Sequence, residues 1–389
     1  MSLKAFKYNF IETIIVVLVF ILNPFLSLVL SILFVVFKNK NYFNFILIIN
    51  ISLFLGLLNT TKVPESDFLA YKEIYLYSKD YTLLGYLSIF NREYIFYFFS
   101  YLFSILTGGS WKLFVLFTTF VSYFLILNSN FIVFKTLNPK STKFYVAILN
   151  VSFFFILFSH SAHLLRNFIA GSFVIYFLVN YYFLSKNKWW LILISFFIHS
   201  SAGLFALVFL LPNNSRNSAL KKRFSKVLIL FFATAFIYFS GDLLISNYQF
   251  NRILEIYNQQ NSFEISELFY AMSFVFFVVS VYLFVKNKYV EYASSVLNYI
   301  KLIFVLLIIS GFSLLSGVLI SQRILLFIFI FSSIFFTILV ITKNNISRLI
   351  TPILTIIIFI TFINNYNYGT WEYASVTKIF SNSLFSYFY

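Results

Sequence analysis

A chain of 389 residues that is 61% hydrophobic and only 10% charged cannot hide its apolar surface inside a water-soluble core. Its mean hydropathy of +0.91 leaves lipid as the solvent. The formal net charge of +16 does not make a nucleic-acid binder, because Lys and Arg sit in short clusters between apolar runs, and the lack of cysteine excludes disulfides, thiolate chemistry and Cys-based metal sites.

Apolar stretches of about 18 residues or more recur from end to end. They are continuous and do not alternate as barrel strands would. The sequence therefore predicts an all-α polytopic integral membrane protein, a single transmembrane domain over residues 1–389. Spans are expected at 10–37, 42–58, 111–134, 144–160, 168–184, 189–211, 227–246, 267–285, 300–320, 324–341 and 349–363. The first is long for one helix and contains Asn23-Pro24, where it can kink or divide in two. The total is about 11–12 transmembrane helices plus interfacial or re-entrant ones. The run Phe10 to Phe37 lacks a small-residue cleavage site, so no cleavable signal peptide is expected.

Six connections are basic: Lys38 and Lys40; Lys135, Lys140 and Lys143; Lys186 and Lys188; the Arg216–Lys226 cluster; Lys286 and Lys288; Lys343 and Arg348. The positive-inside rule puts all six in the cytoplasm. The other connections hold Glu65, Asp67, Glu73, Asp80, Glu93, Glu255, Glu264, Glu267 and Glu372, which places most of the acid outside. The main outer segments are 59–110, 247–266 and the tail 364–389. For this sidedness to hold, 93–107 must be an interfacial or re-entrant helix ending at Gly108-Gly109. The segment 189–211 must likewise be a half-depth hairpin with His199 near its tip, unless it is an ordinary span with a misassigned loop.

The first outer loop reads "ESDFLAYKEIYLY". On a helix, Asp67, Tyr71 and Tyr75 repeat at i, i+4 and i+8 on one face. A carboxylate ringed by phenols suits sugar recognition, and equally an amphipathic helix lying on lipid headgroups. The adjacent pair Arg92-Glu93 stands at the outer boundary before an aromatic run, as a polar cleft or a simple interfacial anchor. In "FSHSAHLLRNFIAGSF", His160, His163 and Arg166 drift over one broad helix face. A guanidinium at an outer helix end opposes the positive-inside trend. Its planar fork suits a phosphate or diphosphate. The two histidines lack carboxylates or an H-x-x-x-H spacing, so no metal is expected. His199, in "FFIHSSAGL", is either a proton acceptor or a histidine bonded to a neighbouring helix. Arg323, in "LISQRILLF", is a second outer cation that could clamp a lipid diphosphate together with Arg166.

The ordered segments "SDFLAYKEIY", "REYIFYFFSYLFSILTGGSWKLFV", "HLLRNFIAGSFVIYFL", "WWLILISFFIHSSA" and "QRILLFIF" resemble the EpsG family of bacterial polysaccharide polymerases, relatives of Wzy, over roughly residues 40 to 340. Asp67, Tyr71, Tyr75, Arg92, Glu93, Arg166, His199 and Arg323 match the family pattern. Phe68 stands where the family often has Tyr, and the long first run departs from the usual start. The resemblance implies a GT-C-like membrane glycosyltransferase. It would join undecaprenyl-diphosphate-linked oligosaccharide repeats on the outer face of the bacterial cytoplasmic membrane, without metal, nucleotide sugar or other cofactor. A flippase and a chain-length regulator would be its neighbours, and nucleic acid would not be a partner. Within it, Asp67 is expected as the base, with Glu93 and His199 as the other candidates. Glu93 would position the acceptor sugar with Arg92 as its charge partner, and Arg166, Arg323, His160, His163, Tyr71 and Tyr75 would bind diphosphate or sugar. The alternatives are a lipid-linked oligosaccharide flippase, an O-antigen ligase, a membrane acyltransferase or an export scaffold. A flippase would line a passage with charge through the membrane depth. A ligase would carry a larger late outer loop than 247–266.

Overall fold

The computed structural model describes residues 3–38, 40–90, 93–138, 143–203, 205, 293–313, 318–341, 345–368 and 376–388. The expected spans 227–246 and 267–285 lie outside the described residues. Among those described the chain is all helix, an all-α membrane protein. Helices are numbered in chain order over the described residues.

The first apolar run divides where expected. α1 (Leu3–Leu22) stops and α2 (Pro24–Lys38) starts at Asn23. Pro24 has no N–H to continue the ladder and suits a first helical position. Asn23 holds the turn by accepting from the Leu26 N–H and donating to the Phe380 carbonyl.

α3 (Asn41–Thr60) and α7 (Trp111–Leu137) are each long and apolar enough to cross a membrane. A helix of 20 residues is about 30 Å long, the thickness of the hydrocarbon core. They run antiparallel, in contact from Phe45 against Phe124 to Asn59 against Thr119. The Leu116 backbone lies so near Gly56 that a methyl there would meet its carbonyl oxygen at 2.9 Å. Glycine therefore sets this helix spacing.

The expected span 144–160 is not one rod. α8 (Phe144–Ser152) and α9 (Phe155–His163) are bent by 51° across Phe153 and Phe154. A further break at Leu164 precedes α10 (Leu165–Phe183). α10 packs along α7 and along α13 (Val318–Ile341), with Gly171 fitted against Ile330 and Phe327. The remaining late helices are α12 (Ala293–Ser313), α14 (Asn345–Tyr368) and α15 (Val376–Ser381).

Between α3 and α7 lie three short helices: α4 (Ser66–Tyr77), α5 (Leu83–Ser88) and α6 (Tyr94–Leu106). α6 has 13 residues, about 20 Å by helical rise, too short to cross. It ends at Gly108 and Gly109, both at positive φ. Lys79 lies where a side chain on Gly109 would stand, and its ammonium donates to the Gly108 carbonyl at 2.6 Å. The expected short helix closed by a glycine pair is what forms.

The segment after α10 explains how a short helix reaches the site. Its connection turns back along α10: the Lys186 N–H donates to Asn180 O, and Lys188 reaches the Tyr176 hydroxyl. α11 (Trp190–Ile198) therefore starts part-way along α10, and nine residues, about 13 Å, carry the chain to His199 beside the start of α10. The rest of the segment 189–211, past 203 and apart from 205, lies outside the described residues, and with it the turn that the expected half-depth hairpin requires.

The ends of α3, α9 and α11 and the starts of α7 and α10 thus share one end of the molecule. The α1–α2 turn joins them through the C-terminal tail, since Leu384 N–H donates to Ile21 O and Lys112 reaches Phe388 O. Lys38 and Lys40 at the α2–α3 junction, and Lys135 and Lys143 at the α7–α8 junction, stand at the opposite end.

Candidate active site

Glu93 immediately precedes α6 with φ 60 and ψ 35, a left-handed conformation that a residue with a side chain rarely adopts. Such a position costs about 1–3 kcal/mol and persists only where its surroundings over-determine it. Two partners do so here. One carboxylate oxygen is ion-paired with Nη1 of Arg166, on the first turn of α10, and the other lies 3.5 Å from Nε2 of His199. The side chains of Glu93 and His199 are 9% and 8% exposed, that of Arg166 24%. An arginine at a helix N-terminus faces the positive end of the dipole. The Glu93 carboxylate offsets both.

Two phenols complete the cradle. Arg166 Nε donates to the Tyr71 hydroxyl at 3.2 Å and Nη1 to the Tyr97 hydroxyl at 2.8 Å. The guanidinium carbon lies 5.0 Å from the Tyr71 ring centroid and 5.8 Å from that of Tyr97, within the range of cation–π attraction. Burial holds the Tyr71 phenol above its ordinary value, against the pull of the neighbouring guanidinium. Nη2 is the one guanidinium nitrogen with no protein partner among the described residues, which leaves its two N–H groups for a ligand.

His199 is the C-cap of α11, in extended conformation. Its Nδ1 accepts from the Ser201 backbone N–H at 3.2 Å and lies 2.7 Å from the Ser201 hydroxyl. A backbone N–H can only donate, so the proton of neutral His199 sits on Nε2, facing Glu93. His199 therefore holds Glu93 rather than presenting a free nitrogen to a substrate.

The other sequence candidates fall in different places. Asp67 is exposed, on the first turn of α4, one turn from Tyr71. Tyr75, one turn further, is fully buried, stacked on Phe114 at 4.6 Å and bonded to the Thr107 hydroxyl at 2.9 Å. Asp67, Tyr71 and Tyr75 do share a helix. His160, His163 and Arg166 do not: the break at Leu164 leaves both histidines on α9 and the arginine on α10. His160 Nδ1 donates back to the Ile156 carbonyl at 2.5 Å. The charge partner the structure gives Glu93 is Arg166, and Arg92 lies outside the described residues. The Arg323 side chain is likewise outside them. Its backbone is on α13 one turn before Phe327, which packs on Gly171, and Gly171 is five residues past Arg166 on a helix running the same way. The two arginines therefore lie at similar depth.

Two residues escaped the sequence reading. Tyr97 follows Glu93 at i+4, a spacing that could have exposed it. Lys62, just past α3, is 3% exposed and bonds Nε2 of His163 at 2.7 Å. Burial pulls its ammonium down to about 8, against the opposing Glu65 carboxylate. Only its isolation among outer acids marked it in the sequence.

No curated protein and no solved structure matches this chain. A family model described as the EpsG family matches residues 44–375, from α3 past α14 and across every element of this site. The chain belongs to the EpsG family, a membrane protein whose membership supports a role of the polysaccharide-polymerase kind.

Proposed function

We propose that the protein is a glycosyltransferase that polymerises lipid-diphosphate-linked oligosaccharides on the outer face of the cytoplasmic membrane. The observation that carries this reading is the Arg166–Glu93–His199 constellation with its two tyrosines, gathered from four separate segments at the end of the bundle opposite Lys38, Lys40, Lys135 and Lys143. The same charge asymmetry supports the outward orientation. A site gathered at one end of the bundle, with no line of charge through its depth among the described residues, favours an enzyme over a flippase.

In the proposed reaction a hydroxyl of one lipid-linked unit attacks the anomeric carbon of the growing chain. The bond from that carbon to the diphosphate breaks, the diphosphate keeps the electron pair, and the hydroxyl proton passes to a base. Asp67 is the base: it is exposed beside Tyr71, whereas both oxygens of Glu93 are engaged. Arg166, through Nη2, and Arg323 stabilise the departing diphosphate. A fixed cation in a dry site acts there without reorganisation. Glu93 and His199 position Arg166, Tyr71 lines the acceptor side, and Tyr75 braces α4 from beneath. No metal is required in this scheme.

The test is extension of one defined undecaprenyl-diphosphate-linked repeat by purified protein, read as a product ladder. Wild type should give a ladder. Asp67→Asn keeps size and hydrogen bonding and should bind the lipid-linked glycan yet extend it about 10²–10⁴-fold more slowly. Transbilayer movement of the lipid without a ladder would mean a flippase. A normal ladder from Asp67→Asn would remove Asp67 as the base.

A further inference from the structure

Asp67 is on the first turn of α4 and Arg166 on the first turn of α10, so the gap between the proposed base and the proposed leaving-group cation is a matter of how two helices are held. Each of these helices follows an irregular stretch: residues 61–65 between α3 and α4, and the break at Leu164 between α9 and α10. Neither stretch has a continuous helical ladder, so side chains must fix its course.

The two stretches are tied to each other. Lys62 lies in the first, five residues before Asp67, and His163 closes α9, three residues before Arg166. The Lys62 ammonium donates to Nε2 of His163 at 2.7 Å. An ammonium can only donate, so the proton of His163 sits on Nδ1. The neighbouring ties lie within regular helix. Asn59, on the last turn of α3, donates to the Ser161 hydroxyl at 2.6 Å, Phe68 of α4 shares a small apolar cluster with Ala162 of α9, and Tyr71 accepts from Arg166 Nε at 3.2 Å. Lys62 is itself seated on α3, its backbone N–H donating to the Asn59 carbonyl at 3.2 Å. Its ammonium thus carries the register of α3 across to the break from which Arg166 is presented.

A lysine is a costly choice for packing alone. Lys62 is 3% exposed, and burial pulls its ammonium down to about 8. At neutral pH the folded protein keeps a charge there that burial disfavours. An apolar side chain of similar volume would fill the same space without that cost. What it would lack is a directed bond of fixed length to the imidazole.

We infer that Lys62 and His163 are positioning residues for glycosyl transfer: their hydrogen bond braces the α3–α4 connection against the α9–α10 break and so sets the separation of the Asp67 carboxylate from the Arg166 guanidinium. The inference rests on the polymerase reading for the roles of Asp67 and Arg166. In that reaction the base meets the acceptor hydroxyl on one side of the anomeric carbon while the guanidinium meets the departing diphosphate on the other. Only the transition state engages both at once, so an error in the gap falls on kcat, whereas binding of either lipid-linked unit does not sense it.

The experiment uses the full-length purified protein at pH 7, with ladder kinetics on one defined undecaprenyl-diphosphate-linked repeat, thermal unfolding, and hydrogen exchange read peptide by peptide. Lys62→Met keeps the length of the side chain and removes the buried charge. It should lower kcat about tenfold at unchanged KM, while its melting temperature stays at or above that of wild type. Exchange should quicken in residues 61–66 and 162–167 and nowhere else. His163→Gln offers an amide oxygen to the ammonium and should keep most of the rate. Once Lys62 is gone His163 has nothing to hold, so Lys62→Met/His163→Leu should be no slower than Lys62→Met. An unchanged kcat in Lys62→Met would overturn the inference, as would a further loss in the double variant. A raised KM would make Lys62 a binding residue, and a melting temperature that falls along with kcat would make the tie structural only; either result ends the positioning role. Quickened exchange in both segments of Lys62→Met, with no ladder even from wild type, would sink the polymerase reading and leave the brace standing.

Discussion

Two polar clusters flank the break at Leu164, and they handle charge in opposite ways. On the α10 side, Arg166 meets a carboxylate, two phenols and, through Glu93, an imidazole. On the α9 side, Lys62 bonds a histidine, and the Glu65 carboxylate is too weak a counterpart to cancel its burial. Burying a charge is costly unless it is paired. The first cluster solves this by pairing a group that cannot lose its proton, the second by using a group that can. The comparison explains why one position needs arginine and the other tolerates lysine. It also makes the first cluster a fixed electrostatic device and the second a responsive one.

The comparison breaks most visibly at Glu93. Glu93→Gln leaves the Arg166 charge uncompensated, a loss expected to cost about 3–5 kcal/mol of stability, and it should abolish polymerisation. Thermal unfolding in detergent and the ladder assay measure both. Unchanged values would mean that the ion pair neither holds the site nor serves it.

Arg166→Lys comes next. A single ammonium cannot reach Tyr71, Tyr97 and Glu93 in the geometry of the fork while offering donors to a diphosphate. Activity should fall about 10²-fold, the cost of misplacing a positioning group, with stability less affected than in Glu93→Gln. Normal turnover at normal expression would reduce Arg166 to an anchor.

Lys62 sharpens the contrast through pH. In the unfolded chain its amine keeps its proton up to an ordinary value of 10.5, whereas the folded protein releases it near 8. Between these values the folded state binds fewer protons, so stability rises with pH across that window. The melting temperature of wild type should climb relative to Lys62→Met from about pH 8 upward. Parallel pH profiles for the two proteins would show that Lys62 is not the responsive group.

The smallest effect is expected at Tyr97. Tyr97→Phe removes one hydrogen bond to a charged partner and keeps the ring, stacked on Phe90 at 3.6 Å. A stability loss of about 1.5–3 kcal/mol follows from the usual value of such a bond, with a ladder still formed. A loss as large as that of Glu93→Gln would mean that the phenol, not the carboxylate, anchors Arg166.

Much of this was legible along the chain because it depends on local or averaged properties. Composition specified a lipid-embedded protein, and the unbroken apolar runs specified helices. Asn23-Pro24 and Gly108-Gly109 marked helix boundaries because a missing N–H and a positive φ act on the residues that carry them. Charge asymmetry separated the two ends of the bundle. The i, i+4 spacing of Asp67 and Tyr71 announced a shared helix face, and the oddity of an outer arginine singled out Arg166. What only the tertiary structure decided was pairing. Arg92 is Glu93's neighbour in sequence, yet the structure joins Glu93 to residues 73 and 106 positions away, because α6, α10 and the turned-back α11 converge at one level. The bends at Phe153 and Leu164 likewise separate His163 from Arg166, and they bring Lys62 to a histidine 101 residues distant. No proline or glycine stands at 153, 154 or 164 to announce these breaks. Which charges neutralise one another is fixed by the packing of these helices.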